Sequence, residues 1–445
     1  MPSTTHQDAF HFSRPAESWW EASAAPLAIA TPLLSGDQSC DIAIIGAGYT
    51  GLSAALELAR EFHVDVRVLE AGSVGWGASG RNGGFCCVGG HKRSYQSLIA
   101  EFGLDATKSF YNTLKDATHL VEDLCQREAI DAGLSGRGEV TLAHLPNRMD
   151  QLRQEQAFLK QTFGDETALL SVAELKAQGL HGPTFYGGLA NETGAGIHPL
   201  NYMRGLARAA SQAGAKIHAH SQVIRWQEGP QHHTLTTPDG TLKAKHVIVA
   251  TNGYTPENVS KHHAGRLLPA LSSIIVTRPL TESERQAQGW TTHRMAYDSR
   301  ILLHYFRLLP DGRFLFGGRG GTDASNAGHQ PQRQRLTAHF HNLFPAWANV
   351  EITHYWRGFV CLTADRVPYV GPLDERKSVW TAIAYHGNGV ALATWSGRAL
   401  ARAMMGRDAA IPAPMTKRLA KFPFASLRPL YLKGAYVWYE LKDRR

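Results

Sequence analysis

Thirty residues, Asp41–Glu70 (DIAIIGAGYTGLSAALELAREFHVDVRVLE), constrain this chain more than any other stretch. They open on a short apolar run, Ile42 to Ile45, of the kind that forms a buried parallel strand. Gly46, Gly48 and Gly51 follow at G-x-G-x-x-G spacing, and Leu52, Ala55, Leu56 and Ala59 then recur with helical period. A second strand, Val64 to Leu69, ends at Glu70, nineteen residues after Gly51. A bare glycine motif is weak, but strand, glycine turn, helix and strand in this order read as a dinucleotide-binding unit. The first glycine permits a tight turn, the second lets backbone approach a pyrophosphate, and the third lets helix and strand pack closely. The first helical turn, with Tyr49 and Thr50, offers unpaired N–H groups and the positive end of a dipole. Glu70 is expected to accept hydrogen bonds from a ribose hydroxyl, where its charge disfavours a 2′-phosphate.

The next segment, AGSVGWGASGRNGGFCCVGG, carries eight glycines between Gly72 and Gly90. So many glycines weaken either helix or strand. Small residues mixed with Arg, Asn, Trp and Phe point instead to backbone pressed against a ligand, with Ser79, Arg81 and Asn82 as its polar groups.

A chain of 445 residues exceeds one ordinary core, so two connected domains are expected. Five cysteines show neither C-x-x-C nor metal-ligand spacing, and their odd number predicts a reducing, cytoplasmic setting. The N-terminus has no basic start followed by an apolar core, so no secretory signal is expected. No apolar run approaches the roughly 18 residues that span a bilayer. The net charge of +8 reads as spread along the chain, which argues against a nucleic-acid partner.

Residues 1–38, with Trp19, Trp20 and Pro26, read as an irregular arm. Helical spacing covers Ser94 to Arg127, Arg148 to Phe163, Asn201 to Ala213 and Gln330 to Phe344. Strands are expected at Gly138–His144, Tyr186–Leu189, Lys216–His220, Val223–Gln227 and His232–Thr237, then in HVIVATNGYTP ahead of a loop at Asn252 and Gly253. LSSIIVTRPL, RILLHYFRLL and RFLFGG alternate as an antiparallel sheet, with a hairpin turn at Pro310-Asp311-Gly312. Ile352 to Tyr369 returns as strands, a turn is expected at Gly371-Pro372, and Val379–Ala384 leads into the glycine turn and helix of YHGNGVALATWSGRALARAMMG. There is no internal repeat. The fold class is α/β (α+β): a discontinuous Rossmann-like dinucleotide-binding domain (39–90, 191–265 and 351–445) and an inserted, mainly antiparallel-sheet substrate domain (91–190 and 266–350).

Five segments in this order, GAGYTG, GASGRNGG, GAGIHPL, VIVATNGY and HGNGVALATWSG, resemble the D-amino-acid-oxidase-like family of FAD-dependent amine oxidoreductases. The resemblance runs from about Ser18 to the C-terminus. Within that family GWGASGRNGGF, HYFRLLPDGRFLFGG and LRPLYLKGAYVWYELKDR are most similar to the γ-glutamylputrescine oxidase branch. The resemblance implies FAD extended across the first domain. Gly46, Gly48 and Gly51 would hold its pyrophosphate and Glu70 its ribose. Ala78, Ser79, Arg81, Asn82 and Gly83 would line pyrophosphate and flavin, and Val223 the adenine side. Asn252 and Gly253 would lie near the cofactor, and Gly387, Asn388, Gly389 and Val390 would bring a second helix N-terminus to the flavin, where a positive dipole end favours the reduced state.

Departures from the family pattern are also informative. The carboxylate-binding arginine of glycine oxidases falls at Val360 here, the flavin-linking cysteine of sarcosine oxidases at Gly358, and their flavin-side lysine at Ala391. Cys361 is off register. Non-covalent FAD is therefore expected, with Arg307 and Arg357 as candidate cations for a substrate carboxylate.

The implied reaction is oxidation of an amine C–N bond to an imine that hydrolyses, with electrons passing to O2 to give H2O2. The implied substrate is a γ-glutamyl polyamine or a related amine or cyclic imino acid. A dehydrogenase using a carrier or quinone is the alternative; an RNA-modifying or binding flavoprotein would want a clustered basic face. Tyr305 and Arg307 share one face of their strand, expected to look into the substrate cavity. His386 either lies against the flavin or ends a strand as an ordinary hydrogen-bonded histidine, and His91 follows the glycine-rich loop towards the site. Cys86 and Cys87 read as packing residues. The C-terminal aromatics Tyr431, Tyr436, Trp438 and Tyr439 read as packing on the body, with a membrane contact as the alternative. No metal site is expected, and the oligomeric state is left open.

Overall fold

The computed structural model describes residues 6–89 and 91–444. Met1–Thr5 at the start of the expected arm, Gly90 at the end of the glycine-rich segment, and Arg445 lie outside the described residues. The expected arm contains a short helix, α1 (Trp19–Ser23), and already begins β1 (Gly36–Ile45). Then come α2 (Tyr49–Phe62), β2 (Val66–Leu69) and, after the glycine-rich segment, β3 (Phe85–Cys86). The helix expected over Ser94–Arg127 is two, α3 (Tyr95–Phe102) and α4 (Leu104–Arg127). Gly103 breaks it at φ +84°, where an L side chain would be strained.

Next are β4 (Ser135–Leu142), α5 (Arg148–Phe163), β5 (Ala168–Leu170), α6 (Val172–Ala177) and β6 (Gly188–Gly196). β6 thus runs past the expected Leu189 and takes in the start of GAGIHPL. The chain continues through α7 (Pro199–Gln212), β7 (Lys216–His218), β8 (Arg225–Glu228), β9 (His233–Thr236) and β10 (Gly240–Val249). β11 (Leu267–Thr277), α8 (Glu282–Gln288), β12 (Met295–Asp298), β13 (His304–Leu308), β14 (Phe314–Arg319) and α9 (His329–Leu343) follow. The last elements are β15 (Ile352–Thr363), β16 (Tyr369–Pro372), β17 (Val379–Ile383), α10 (Gly389–Met404) and α11 (Arg428–Asp443). Gly371 and Pro372 are therefore strand residues and not the expected turn. β16 ends its sheet, and an edge tolerates a residue without an N–H.

Two sheets result. The first has the order β16-β17-β10-β1-β2-β7, with the β8–β9 hairpin joined to β10. β10, β1, β2, β7 and β17 run parallel, and the strand order reverses on either side of β1. In such sheets ligands sit at the carboxyl ends of the strands where the order reverses, here the end of β1. The second sheet runs β15-β11-β14-β13-β12-β4-β6-β3, antiparallel apart from the β12–β4 pair. β3, β6 and β15 belong to this sheet although parts of them fall within segments 39–90, 191–265 and 351–445.

One face of the second sheet, with Ile274, Val276, Leu315 and Trp356, joins the core of the first sheet, and its other face has a core of its own. Under the first sheet, Ile42, Ile44, Val66 and Val68 meet Leu52, Leu56, Leu206 and Leu392 of the flanking helices. Under the second the core is aromatic: Trp290, Phe306, Phe314, Phe340, Phe344 and Trp347 interlock, with Phe344 and Trp347 stacked at 5.4 Å. α2 lies between α7 and α10. A Cβ on Gly51 would overlap the Gly46 carbonyl oxygen, so this glycine sets how near α2 comes to β1. Gly51→Ala should therefore cost about 3 kcal/mol, measured as a lower urea midpoint at unchanged slope.

Candidate functional site

The strand–turn–helix unit builds the first wall of a long cleft. β1 ends at Ile45 and the chain turns through Gly46 at φ +106°. Gly48 precedes the first turn of α2 and offers no side-chain cap; the Tyr49 N–H instead donates to Ser79 Oγ at 3.0 Å. A Cβ on Gly48 would stand 2.9 Å from that same oxygen. Glu70, buried at the end of β2, accepts from the Ala47 N–H at 2.8 Å and the Gly72 N–H at 3.0 Å. Burial raises its pKa while these N–H groups oppose the shift. Thus Glu70 first shapes the glycine turn, and its carboxylate still lines the cleft.

The glycine-rich segment forms the floor. Asn82 Nδ2 donates to the Ser79 carbonyl at 2.9 Å and to the Tyr49 hydroxyl at 3.2 Å, and its Oδ1 accepts from the Gly84 N–H at 2.8 Å. Two indoles hold the loop from outside: Trp20 donates to the Asn82 carbonyl at 2.8 Å and Trp356 to the Arg81 carbonyl at 2.7 Å. Arg81 lies over the Trp76 ring at 4.1 Å. Gly46, Gly48, Tyr49, Thr50, Glu70, Ala78, Ser79, Asn82, Val223, Asn252, Gly387 and Gly389 all line this cleft. Gly51 packs beneath it, and Gly253 lies against Phe359.

A second cavity continues from the first across a shared wall of Ala78, Asn82, Phe359, Val360, His386, Gly387 and Gly389. Here the β17–α10 junction is strained: Ala384 and His386 have φ of +66° and +52°, and Asn252 opposite has +44°. Asn252 Oδ1 accepts from the Ala384 N–H at 3.0 Å, and Arg319 donates to the His386 carbonyl at 2.8 Å, which hold the turn in place. Asn388 leads into α10 and donates to the Cys87 carbonyl. His386 Nδ1 and Asn388 Oδ1 are buried and have no partner among the described residues. Two helix N-termini, of α2 and α10, therefore meet one elongated space.

Residues 41–403 match the family model described as FAD dependent oxidoreductase (DAO). The chain belongs to that family. It is 30% identical over 437 residues to the probable oxidoreductase OrdL of Rhizobium meliloti, covering 97% of this chain and 98% of that one. It is also 30% identical over 417 residues to the γ-glutamylputrescine oxidoreductase of Escherichia coli, covering 91% and 93%. Glycine oxidase from Geobacillus kaustophilus shares the fold with a TM-score of 0.70 at 22% identity, covering 87% of this chain and all (100%) of that one. This is an FAD-dependent oxidoreductase acting on amines. The cleft fits FAD: its glycine cradle admits backbone-close approach, and the unpartnered His386 Nδ1 and Asn388 Oδ1 await polar contacts where the two spaces join.

The second cavity takes in some of the remaining expected residues and leaves out others. Arg81, Gly83, Asn388, Val390, His91 and Tyr305 line it. The Tyr305 hydroxyl shares a hydrogen bond with Ser272 Oγ at 2.9 Å, and burial raises its pKa to about 12. The His91 Nδ1 bonds the Arg93 carbonyl, and burial lowers this histidine to about 4. His386 sits in the wall with Nε2 3.3 Å from Thr363 Oγ1, lowered by burial to about 3 and hence neutral. Arg307 lies outside the cavity lining. Gly83 and Gly84 cover it, and its guanidinium donates to the Gly83 carbonyl at 3.1 Å and to the Ile197 carbonyl. Arg357 lies outside this lining too, donating to the carbonyls of Asp323 at 3.0 Å and Ser325 at 3.1 Å in a neighbouring cleft beside residues 8–17 that shares Arg81, Gly358 and Phe359 with the cavity.

Four residues that the sequence reading passed over also line this cavity: Lys92, Glu139, Tyr297 and Arg319. Lys92 is lowered to about 7, chiefly by the like charge of Arg319. Glu139 is almost fully buried, and burial raises it to about 8 although the Cys87 thiol hydrogen-bonds to it. One Glu139 oxygen, Oε2, lacks a partner among the described residues. Because Arg307 supports the loop, Arg307→Met should destabilise the protein by roughly 2–3 kcal/mol, the cost of stranding two buried carbonyls. Urea unfolding of the FAD-loaded enzyme measures this, and Tyr305→Phe should shift the midpoint far less.

Proposed function

We propose that this enzyme oxidises the terminal amine of a substrate whose far end is an amino-acid head, a γ-glutamyl polyamine fitting best, and that the electrons pass to O2 to give H2O2. The observation that carries this reading is that one cavity is lined by two cations, Lys92 and Arg319, and by a buried carboxylate, Glu139. A head bearing both carboxylate and ammonium satisfies both sets, whereas glycine or sarcosine would place its only carboxylate at the reacting end, where Val360 stands.

In this reading the N–H groups of α2's first turn, with Gly46, Gly48, Gly51, Tyr49, Thr50 and Ser79, hold the pyrophosphate of FAD, and Glu70 its ribose. Val223 meets the adenine side, and Asn252 and Gly253 shape the cofactor's middle. Ala78, Arg81, Asn82 and Gly83 line the flavin, with Gly387, Asn388, Gly389 and Val390 at its far edge. The cofactor is bound non-covalently. Cys87 and Cys361, which face the two spaces, are kept as thiols by burial, Cys361 being raised to about 12. Domain division then follows the sheets, and the five free cysteines support a cytoplasmic setting.

Bound FAD supplies the two-electron acceptor; the chain's work is positional. Arg319 and Lys92 hold the head's carboxylate and Glu139 its ammonium, which fixes where the distal amine lies. Tyr305 and the neutral His386 wall the reacting end from bulk water, so the amine binds in its uncharged form. The C–H and N–H hydrogens lost from the amine appear in H2O2, and the released imine takes up water to give aldehyde and ammonia.

Anaerobic mixing with γ-glutamylputrescine, putrescine, pipecolate, proline, sarcosine and glycine tests this. γ-Glutamylputrescine should bleach the flavin absorbance fastest, with recovery and peroxide when air enters. Bleaching without recovery would replace the oxidase by a dehydrogenase, and preference for glycine or sarcosine would overturn the head-group argument. Lys92→Met measured below pH 7 and Glu139→Gln measured above pH 8, where each wild-type side chain is charged, should each raise KM for γ-glutamylputrescine about 10- to 100-fold, the worth of a charged hydrogen bond, and leave putrescine nearly unchanged.

pH supplies a further check. Glu139 is neutral below about 8 and charged above it. Loss of the Lys92 charge near pH 7 lowers the ratio of kcat/KM for γ-glutamylputrescine over putrescine in both enzymes, so the advantage of wild type over Glu139→Gln in this ratio should grow as pH climbs through 8.

A further inference from the structure

We propose that α11 is a membrane-docking helix that seats the enzyme on an anionic lipid surface. It is amphipathic the wrong way round for a helix that merely covers a core. Leu430, Tyr431, Gly434, Val437, Trp438 and Leu441 share one arc at 3.6 residues per turn, and that arc faces solvent. Val437 is 62% exposed, Trp438 57% and Leu430 59%, and Phe424, just before the helix, 78%. The opposite face is fixed to the body. Leu432 packs on Leu268 and Ala270, and the Asp443 carboxylate accepts from the backbone N–H groups of Ile301 at 2.7 Å and Leu302 at 3.0 Å.

Charge decides the occupant. The last 30 residues hold eight lysines and arginines against two acids, so six of the chain's net +8 charges sit here and not evenly along it. Lys417 and Arg428 of this block pair with Glu101 and Glu257, and Glu440 with Arg335, while Lys433, Lys442 and Arg444 flank the apolar arc. An apolar stripe with Trp and Tyr, bordered by cations, suits the headgroup region of an anionic bilayer. Two such faces would repel each other, which disfavours a second copy of the chain. Glu440, Asp443 and Arg444 also line a cleft that shares Arg319 with the second cavity, so a bilayer seat would lie beside one wall of the active site.

Flotation of the FAD-loaded full chain with vesicles tests this. Phosphatidylcholine containing a quarter phosphatidylglycerol should carry the enzyme at low salt, pure phosphatidylcholine much less, and high salt should release it. Lys433→Gln, Lys442→Gln and Arg444→Gln together should weaken partition on the order of a hundredfold. Val437→Asp with Leu441→Asp should abolish it while flavin content and turnover in solution stay unchanged. The proposal falls if the wild-type enzyme does not float with anionic vesicles at low salt, or if the Val437→Asp, Leu441→Asp variant floats as well as wild type. It also falls if light scattering shows a dimer that this variant dissociates while wild type ignores vesicles.

Discussion

The approach of α2 to β1 governs the whole first cleft. Gly51 rests against the carbonyl of Gly46, and on the other side Gly397 of α10 rests against the carbonyl of Thr50. These contacts bring the N-terminal turns of two helices to one space. A single helix terminus at a protein surface is worth about 0.3–1 kcal/mol towards an anion and up to about 2 kcal/mol where partly buried. Two such termini, in a cleft walled by sheet and glycine loop, act at the favourable end of that range. The glycines therefore do more than make room: they set the electrostatics of the cofactor site.

In the second cavity the balance is different. Lys92, Arg319 and Glu139 lie where their charges are poorly solvated or crowded, and each departs from its ordinary ionisation in the direction that reduces its charge. A ligand bearing complementary charges would reverse those shifts. The strained turn at Ala384–His386 belongs to the same economy. Backbone conformations of this kind persist only where surrounding bonds over-determine them, and Asn252 and Arg319 supply those bonds.

The nucleotide-binding wall was readable from local sequence because its logic is local. Glycine spacing, strand pattern and a terminal acid all fall within Asp41–Glu70, and the family's FAD dependence follows from the same kind of ordered motif. The second cavity was not readable in this way. Lys92 follows a loop, Glu139 is on β4 and Arg319 ends β14, and only tertiary pairing brings them together. Strand alternation correctly placed Tyr305 and Arg307 on one face, but alternation does not say what covers a face, and Gly83–Gly84 cover Arg307. Two missed helices did leave a signal: Ser171 with Glu174 and Thr281 with Glu284 form capping boxes at the starts of α6 and α8. The basic C-terminal block was hidden by averaging charge over the chain.

Arg307 has a mechanical consequence. Its side chain leaves the middle of the second sheet and is tied to a carbonyl of the loop leaving β2 and to another at the entry to α7. One buried, planar group thereby ties the glycine-rich loop and the entry to α7 to the strand beneath them. Lifting that loop off the sheet would strand a guanidinium and two carbonyls away from water, a cost that no side-chain rearrangement at the surface can offset. The loop bordering the cleft is therefore pinned at its buried side and free to vary only at its exposed one.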